Sequence, residues 1–308
     1  VIAAAEDLRS RSTVPALLFP SQCLLGEGPV WDDRRRCLYW VDILENKLHR
    51  ITFPGKTHRA WSVDQPIGSL ALTRGAAAEA LLLAMQDGLY CWVPGKGRPR
   101  RVTAPGVPPP DSRFNDGKCD PAGNFVVGSM ALDETPGAGR LHLFSRGKPQ
   151  LLRKGMGIPN GMAWSRDRTG RRWHYYLNDS QAGKVYRFDY DARRQRIARC
   201  RVILRLGGKL GYPDGMTLDR EGCLWIALWG KGDVIRFCPA TRRILERHPL
   251  PVRHATCCTF GGPERRHLFI TTARKGLTHS QAKRFPSSGD LFVLKTRVAG
   301  LPAVRLRG

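Results

Sequence analysis

The chain has no run of eighteen apolar residues, no C-x-x-C pair, no H-E-x-x-H and no G-x-S-x-G. The first absence excludes a membrane-spanning helix. The others remove the commonest zinc cages, dithiol redox motifs, the helical zinc-protease signature and the nucleophile elbow. Amphipathic helical periodicity is missing too, which excludes a TIM barrel or a doubly wound sheet, since both need helices of about ten residues or more between strands. The opening stretch VIAAAEDLRSRSTVPALLF lacks a basic region leading into a continuous apolar core, so no secretory leader is expected. Acidic residues are scarce: 26 Asp and Glu stand against 51 Lys and Arg, a formal charge of +25. The basic residues fall in short, dispersed clusters such as Arg34–Arg36, Arg193–Arg196 and Arg265–Arg266. A solvated basic surface accounts for that dispersion, with polyanion attraction as a secondary, salt-sensitive consequence and no specific nucleic-acid reader implied. Nine cysteines, scattered and odd in number, suit reduced thiols in a cytoplasmic protein; only Cys257 and Cys258 are adjacent.

What is present is a repeat. CLYWVDILENKLHRI, LLLAMQDGLYCW, GNFVVGSMALDETPGAGRLHLF, RWHYYLNDSQAGKVYRFDYD, GCLWIALWGKGDVIRFCP, and HLFITTARKG with GDLFVL each read as a β-rich run, a polar turn and a second β-rich run. They recur roughly every 43 to 50 residues, the length of a four-stranded blade. Most are preceded by a small-residue loop entering another apolar strand: GEGPVWD, PIGSLALTR, NDGKCDPAGN, PNGMAWSRD and PDGMTLDREG. The pattern predicts an all-β fold, a six-bladed β-propeller with a central metal-binding channel. It would occupy residues 1–308 as one domain, with 1–16 a loosely ordered extension. Closure is expected between a strand near Leu17–Leu24 and the end of the chain near Leu291–Leu294. A β-sandwich is the alternative that the repeat disfavours.

In a propeller the first strand of each blade lines the channel, so equivalent positions converge around one axis. Aligning the phrases on their glycines puts Glu27, Asp116, Asn160 and Asp214 each immediately before a glycine. Carboxylates gathered there repel one another unless a cation shares them. Glu27, Asn160 and Asp214 offer only oxygen donors, which suits Ca²⁺ first, with Mg²⁺, Mn²⁺, Zn²⁺ or Fe²⁺ as alternatives. Three protein donors would leave coordination positions open. Asx-Gly pairs also make ordinary turns; it is their recurrence at matched positions that argues for a site.

From GEGPVW, YWVDI, RFNDGKCDPAGNFVVGSM, GIPNGMAWS, GYPDGMTLD, GCLWIALWG and FGGPERRHLFITTAR, the chain resembles the gluconolactonase, regucalcin (SMP-30) and luciferin-regenerating enzyme family, the last phrases looking most like its bacterial sugar-lactonase branch. The resemblance runs from about residue 25 to residue 277. It implies Glu27, Asn160 and Asp214 as ligands of one divalent metal, Asp214 as the base, and Arg113 and Asn115 as substrate contacts. Asp133 of GSMALDE matches a further substrate-contacting acid, one methylene shorter. The implied reaction is metal-dependent hydrolysis of a sugar lactone to its aldonic acid, the lactone being the small-molecule partner. Two alternatives stand beside it: a non-enzymatic propeller binding calcium or a polyanion, and a hydrolase of a phosphorylated lactone or another ester. Asn178 and Asp179 read either as a hairpin turn or as residues edging toward the channel. His49, His142, His174 and His267 read as structural, and Trp40, Trp164, Trp225 and Trp229 as packing between blades.

Overall fold

The computed structural model describes residues 14–75, 80–167 and 169–307. Most of the extension expected over residues 1–16 lies outside them. Six four-stranded antiparallel sheets follow one another along the chain, and the architecture is a six-bladed β-propeller. The innermost strands are Gly26–Asp32, Ile67–Leu72, Ser112–Cys119, Pro159–Arg166, Tyr212–Leu218 and His254–Gly261, for blades one to six.

The sequence dictates this radial order through its polarity. The second strand of the first blade, CLYWVD, is buried along its whole length, whereas the outermost strands of blades two and four, KGRPRR and RIARCRVILR, are largely open to solvent. A strand buried on both faces reads as continuous apolar sequence. Lys and Arg on outer edges oppose edge-to-edge pairing with another molecule.

The core is divided into six apolar clusters, each filling the space between neighbouring blades. Tyr39 and Val41 of blade one meet Leu70 and Leu83 of blade two; Val126 and Leu141 of blade three meet Met162 and Tyr175 of blade four. Trp40, Trp164 and Trp225 lie in three of these clusters.

Closure occurs where the spacing placed it: Ala16–Phe19 pairs antiparallel with Leu291–Lys295 and completes the sixth sheet. The strand stops short of the Leu24 expected at its end because Pro20, which lacks an N–H, follows it. A short helix, His279–Arg284, interrupts the all-β pattern after the second strand of blade six, held by a capping box between Thr278 and Gln281. Six residues, five of them polar, are too few to register as a helical period.

The terminal segment crosses the far end of the channel. Gly300 bridges Asp219, Leu306 bridges Thr73, and the Arg307 N–H donates to the Gly123 carbonyl. Leu301, Pro302 and Val304 there line a cavity of about 180 Å³. No helix among the described residues is long and apolar enough to cross a membrane.

Candidate metal and substrate site

Each innermost strand carries an extra residue near its start, seen as a register shift against its neighbour. Such bulges bend a strand and re-aim side chains. In blade four, Pro159 pairs with Asp179 and Met162 with Leu177, leaving Asn160 and Gly161 opposite Asn178. In blade five, Asp214 and Gly215 occupy the same place. In blade three it is Asn115 and Asp116. The register therefore corrects the glycine-based alignment: Asn115, not Asp116, is equivalent to Asn160 and Asp214. Asp116 lines the cavity at the far end of the channel. Glu27 immediately precedes the bulge of blade one.

At the near end a cavity of about 470 Å³ is lined by Glu27, Arg113, Asn115, Asn160 and Asp214 together. The Asn160 Nδ2 donates to Asp214 Oδ1 and to Ser180 Oγ. Asn178 Nδ2 donates to the Asp214 carbonyl, and Ser180 Oγ to the Pro213 carbonyl at 2.7 Å. Asn178 thus turns toward the channel, while Asp179 secures the hairpin by accepting from the Gly157, Ile158 and Ala182 amides. Arg113 donates from Nη1 to Asn115 Oδ1 at 2.8 Å, and Asn115 Nδ2 donates to the Pro159 carbonyl at 3.1 Å.

The electrostatics follow from burial. The Glu27 carboxyl is pushed up to about 8, first by desolvation and then by repulsion from Asp116, against the Gly28 amide and the Arg113 charge. Asp214 is raised well above the usual carboxylate range by burial, then by Glu27 and Asp116. Burial holds the Arg113 guanidinium below its ordinary value despite Glu27, Glu134 and Asp214 nearby. Asn160 Oδ1 is buried and accepts no hydrogen bond. No group of three His, Cys, Asp or Glu side chains suited to a metal occurs among the described residues; this set is two carboxylates and a carboxamide. Two buried acids pushed toward neutrality beside an unused amide oxygen fit a hard divalent cation, which would let both ionise.

Asp133 is not brought to the cavity. Its exposed carboxylate turns back to accept from the amide and hydroxyl of Thr135. The next residue, Glu134, adopts a φ of 59° and lines the cavity instead. Trp229 packs between blades as expected, stacking on His254 of blade six at 3.9 Å, and lines the cavity as well. Lys275, Gln181 and Tyr212 join that wall. The phrase TTARKGL contains Lys275, but nothing in a strand-and-turn pattern indicates that this turn folds over the mouth. His49, His142 and His254 are buried and held near 4 by desolvation, as suits neutral structural imidazoles.

A family model described as SMP-30/Gluconolactonase/LRE-like region matches residues 25–274. The Bacillus subtilis protein named "Putative sugar lactone lactonase YvrE" is 30% identical over 289 residues, covering 94% of this chain and 97% of that protein. Regucalcin of Oryctolagus cuniculus is 32% identical over 304 residues, with 94% and 97% covered. The crystal structure of a regucalcin from Agrobacterium tumefaciens, described as a calcium-binding protein, superimposes with a TM-score of 0.88 at 28% identity, over 96% of this chain and 98% of that one.

Proposed function

The chain belongs to the SMP-30/gluconolactonase/LRE-like family, and from that premise we propose that it hydrolyses a sugar lactone to the aldonic acid, using one divalent cation held by Glu27, Asn160 and Asp214. The observation that carries this reading is the meeting of two mutually repelling buried carboxylates and an unsatisfied amide oxygen on the wall of a cavity. Similarity to a named sugar lactonase supports the substrate class.

When bound, the cation supplies Lewis acidity that polarises the lactone carbonyl. Asp214 accepts a proton from the attacking water at a carboxylate oxygen and delivers it to the ring oxygen as the acyl–oxygen bond breaks. Asn160 Nδ2 and Asn178 Nδ2 hold that carboxylate and its backbone in place. Arg113, steadied by Asn115, donates to substrate hydroxyls and orients the carbonyl. No covalent enzyme intermediate is involved.

An oxygen-only donor set favours calcium, and the calcium-binding description of the Agrobacterium regucalcin supports that choice. Mg²⁺, Mn²⁺, Zn²⁺ and Fe²⁺ are the competitors. The propeller acts as one domain. The reduced cysteines, mostly buried, support a reducing, cytoplasmic compartment.

Chelation followed by ion-by-ion restoration on a panel of glucono-, galactono-, xylono- and arabinono-lactones tests the proposal. Activity should vanish with chelator and return with one preferred ion. Turnover that survives exhaustive chelation, or a panel without turnover under any ion, rejects it.

A further inference from the structure

Lys275 Nζ lies 2.8 Å from Glu134 Oε1, and both residues line the cavity that holds Arg113 and Asp214. Glu134 stands in the turn after the second strand of blade three, and Lys275 follows the corresponding strand of blade six. In a six-membered ring these blades face each other across the axis, so the ion pair bars the mouth. Its ends are fixed before any ligand arrives. The Arg274 and Lys275 amides both donate to the Leu24 carbonyl, and the Glu134 amide donates to Ala131. Gln181 Nε2 donates to the Glu134 carbonyl at 2.8 Å.

A lactone bound with its carbonyl at Asp214 and its exocyclic chain toward the mouth would meet this bar. The pair is neutral as a whole, yet keeps ammonium donors and carboxylate lone pairs available for hydroxyls. A phosphate or carboxylate at the same place would gain Lys275 but meet the Glu134 charge. Resting on the lactonase reading above, we propose that the Glu134–Lys275 bridge selects uncharged lactones with a hydroxylated exocyclic chain, against phosphorylated and unsubstituted ones.

The test compares D-glucono-1,5-lactone, its 6-phosphate and δ-valerolactone in the cation-loaded protein and in Glu134→Gln, Lys275→Met and the swapped Glu134→Lys/Lys275→Glu variant. Both single variants should raise KM for gluconolactone about tenfold, the effect of losing one good polar contact, with kcat nearly unchanged. The KM for δ-valerolactone should not move. Glu134→Gln, which leaves Lys275 uncompensated, should raise kcat/KM for the phosphorylated lactone, and the swap should recover part of the gluconolactone affinity. Equal KM changes on all three lactones, or none, would overturn the proposal while leaving lactonase activity standing, as would a wild-type preference for the phosphate. A wild-type protein inactive on all three under every ion would overturn both readings. A fall in thermal midpoint that tracks the KM changes would assign the pair to loop stability alone and also defeat the proposal.

Discussion

Asn160 on the innermost strand of blade four donates through Nδ2 to Oδ1 of Asp214 on that of blade five, across 54 positions of sequence. The contact is possible because Gly161 has no side chain: a Cβ there would stand 2.6 Å from the Asp214 carbonyl oxygen and from the Met216 amide nitrogen.

Gly161→Ala should therefore force two inner strands apart. Overpacking of this kind costs about 1–3 kcal/mol, to be read from urea unfolding, and turnover should fall further than stability does because Asp214 is displaced. An alanine variant as stable as the parent would show that the strands are not in tight contact.

Asp214→Asn should lower kcat by at least ~10²-fold, the lower end of what a positioned general base contributes. Its metal-free thermal midpoint should hold or rise, because a neutral amide replaces an acid whose ionisation burial and Glu27 oppose. Substantial turnover in this variant would remove Asp214 from the role of base.

Calcium should raise the thermal midpoint of the wild type, with chelator reversing the gain, since a ligand of the folded state alone stabilises by mass action. The gain should shrink in Glu27→Gln. An identical response in both proteins would place the cation elsewhere.

Acid should destabilise the fold through its buried imidazoles. His49, His142 and His254 are held near 4 against an ordinary value of 6.5, so the unfolded chain binds more protons between those limits. Their contribution is complete above pH 6.5 and is lost as pH falls toward 4. His254 Nδ1 accepts from the Gly230 amide at 3.1 Å, so the neutral ring is required there. His254→Asn should flatten the decline in thermal midpoint over this window; a decline of unchanged steepness would exclude the residue as a contributor.

Salt should stabilise the protein. The net charge is +25, and like charges face each other in register on outer strands at Arg187–Arg201, Lys184–Arg205 and Arg140–Lys154. Such pairs are destabilising, and screening relieves them. The thermal midpoint should climb between low and physiological ionic strength. A fall would mean that favourable ion pairs, such as Arg236 with Asp219, outweigh the repulsion.

The blade count, the closing partners and the meeting of Glu27, Asn160 and Asp214 were legible because strands and turns are encoded in consecutive residues and a repeat implies rotational equivalence. Asp116 and Asp133 lie elsewhere than expected for two physical reasons: a bulge on the innermost strand of blade three puts Asn115 where the glycine alignment put Asp116, and in the turn that carries Asp133 the left-handed backbone of Glu134 brings that residue to the cavity instead.

By itself, then, the sequence determined the six-fold repeat, the apolar interior with its basic rim, and the oxygen-bearing side chains that meet on one cavity wall, all of which rest on local composition and spacing. Only the tertiary structure decided that Asn115 takes the ring position beside Asn160, that Glu134 replaces Asp133 at the cavity, and that Lys275 reaches it from the opposite blade. Those outcomes depend on strand register and on ring closure, which bring together residues whose separation along the chain carries no record of their distance in space.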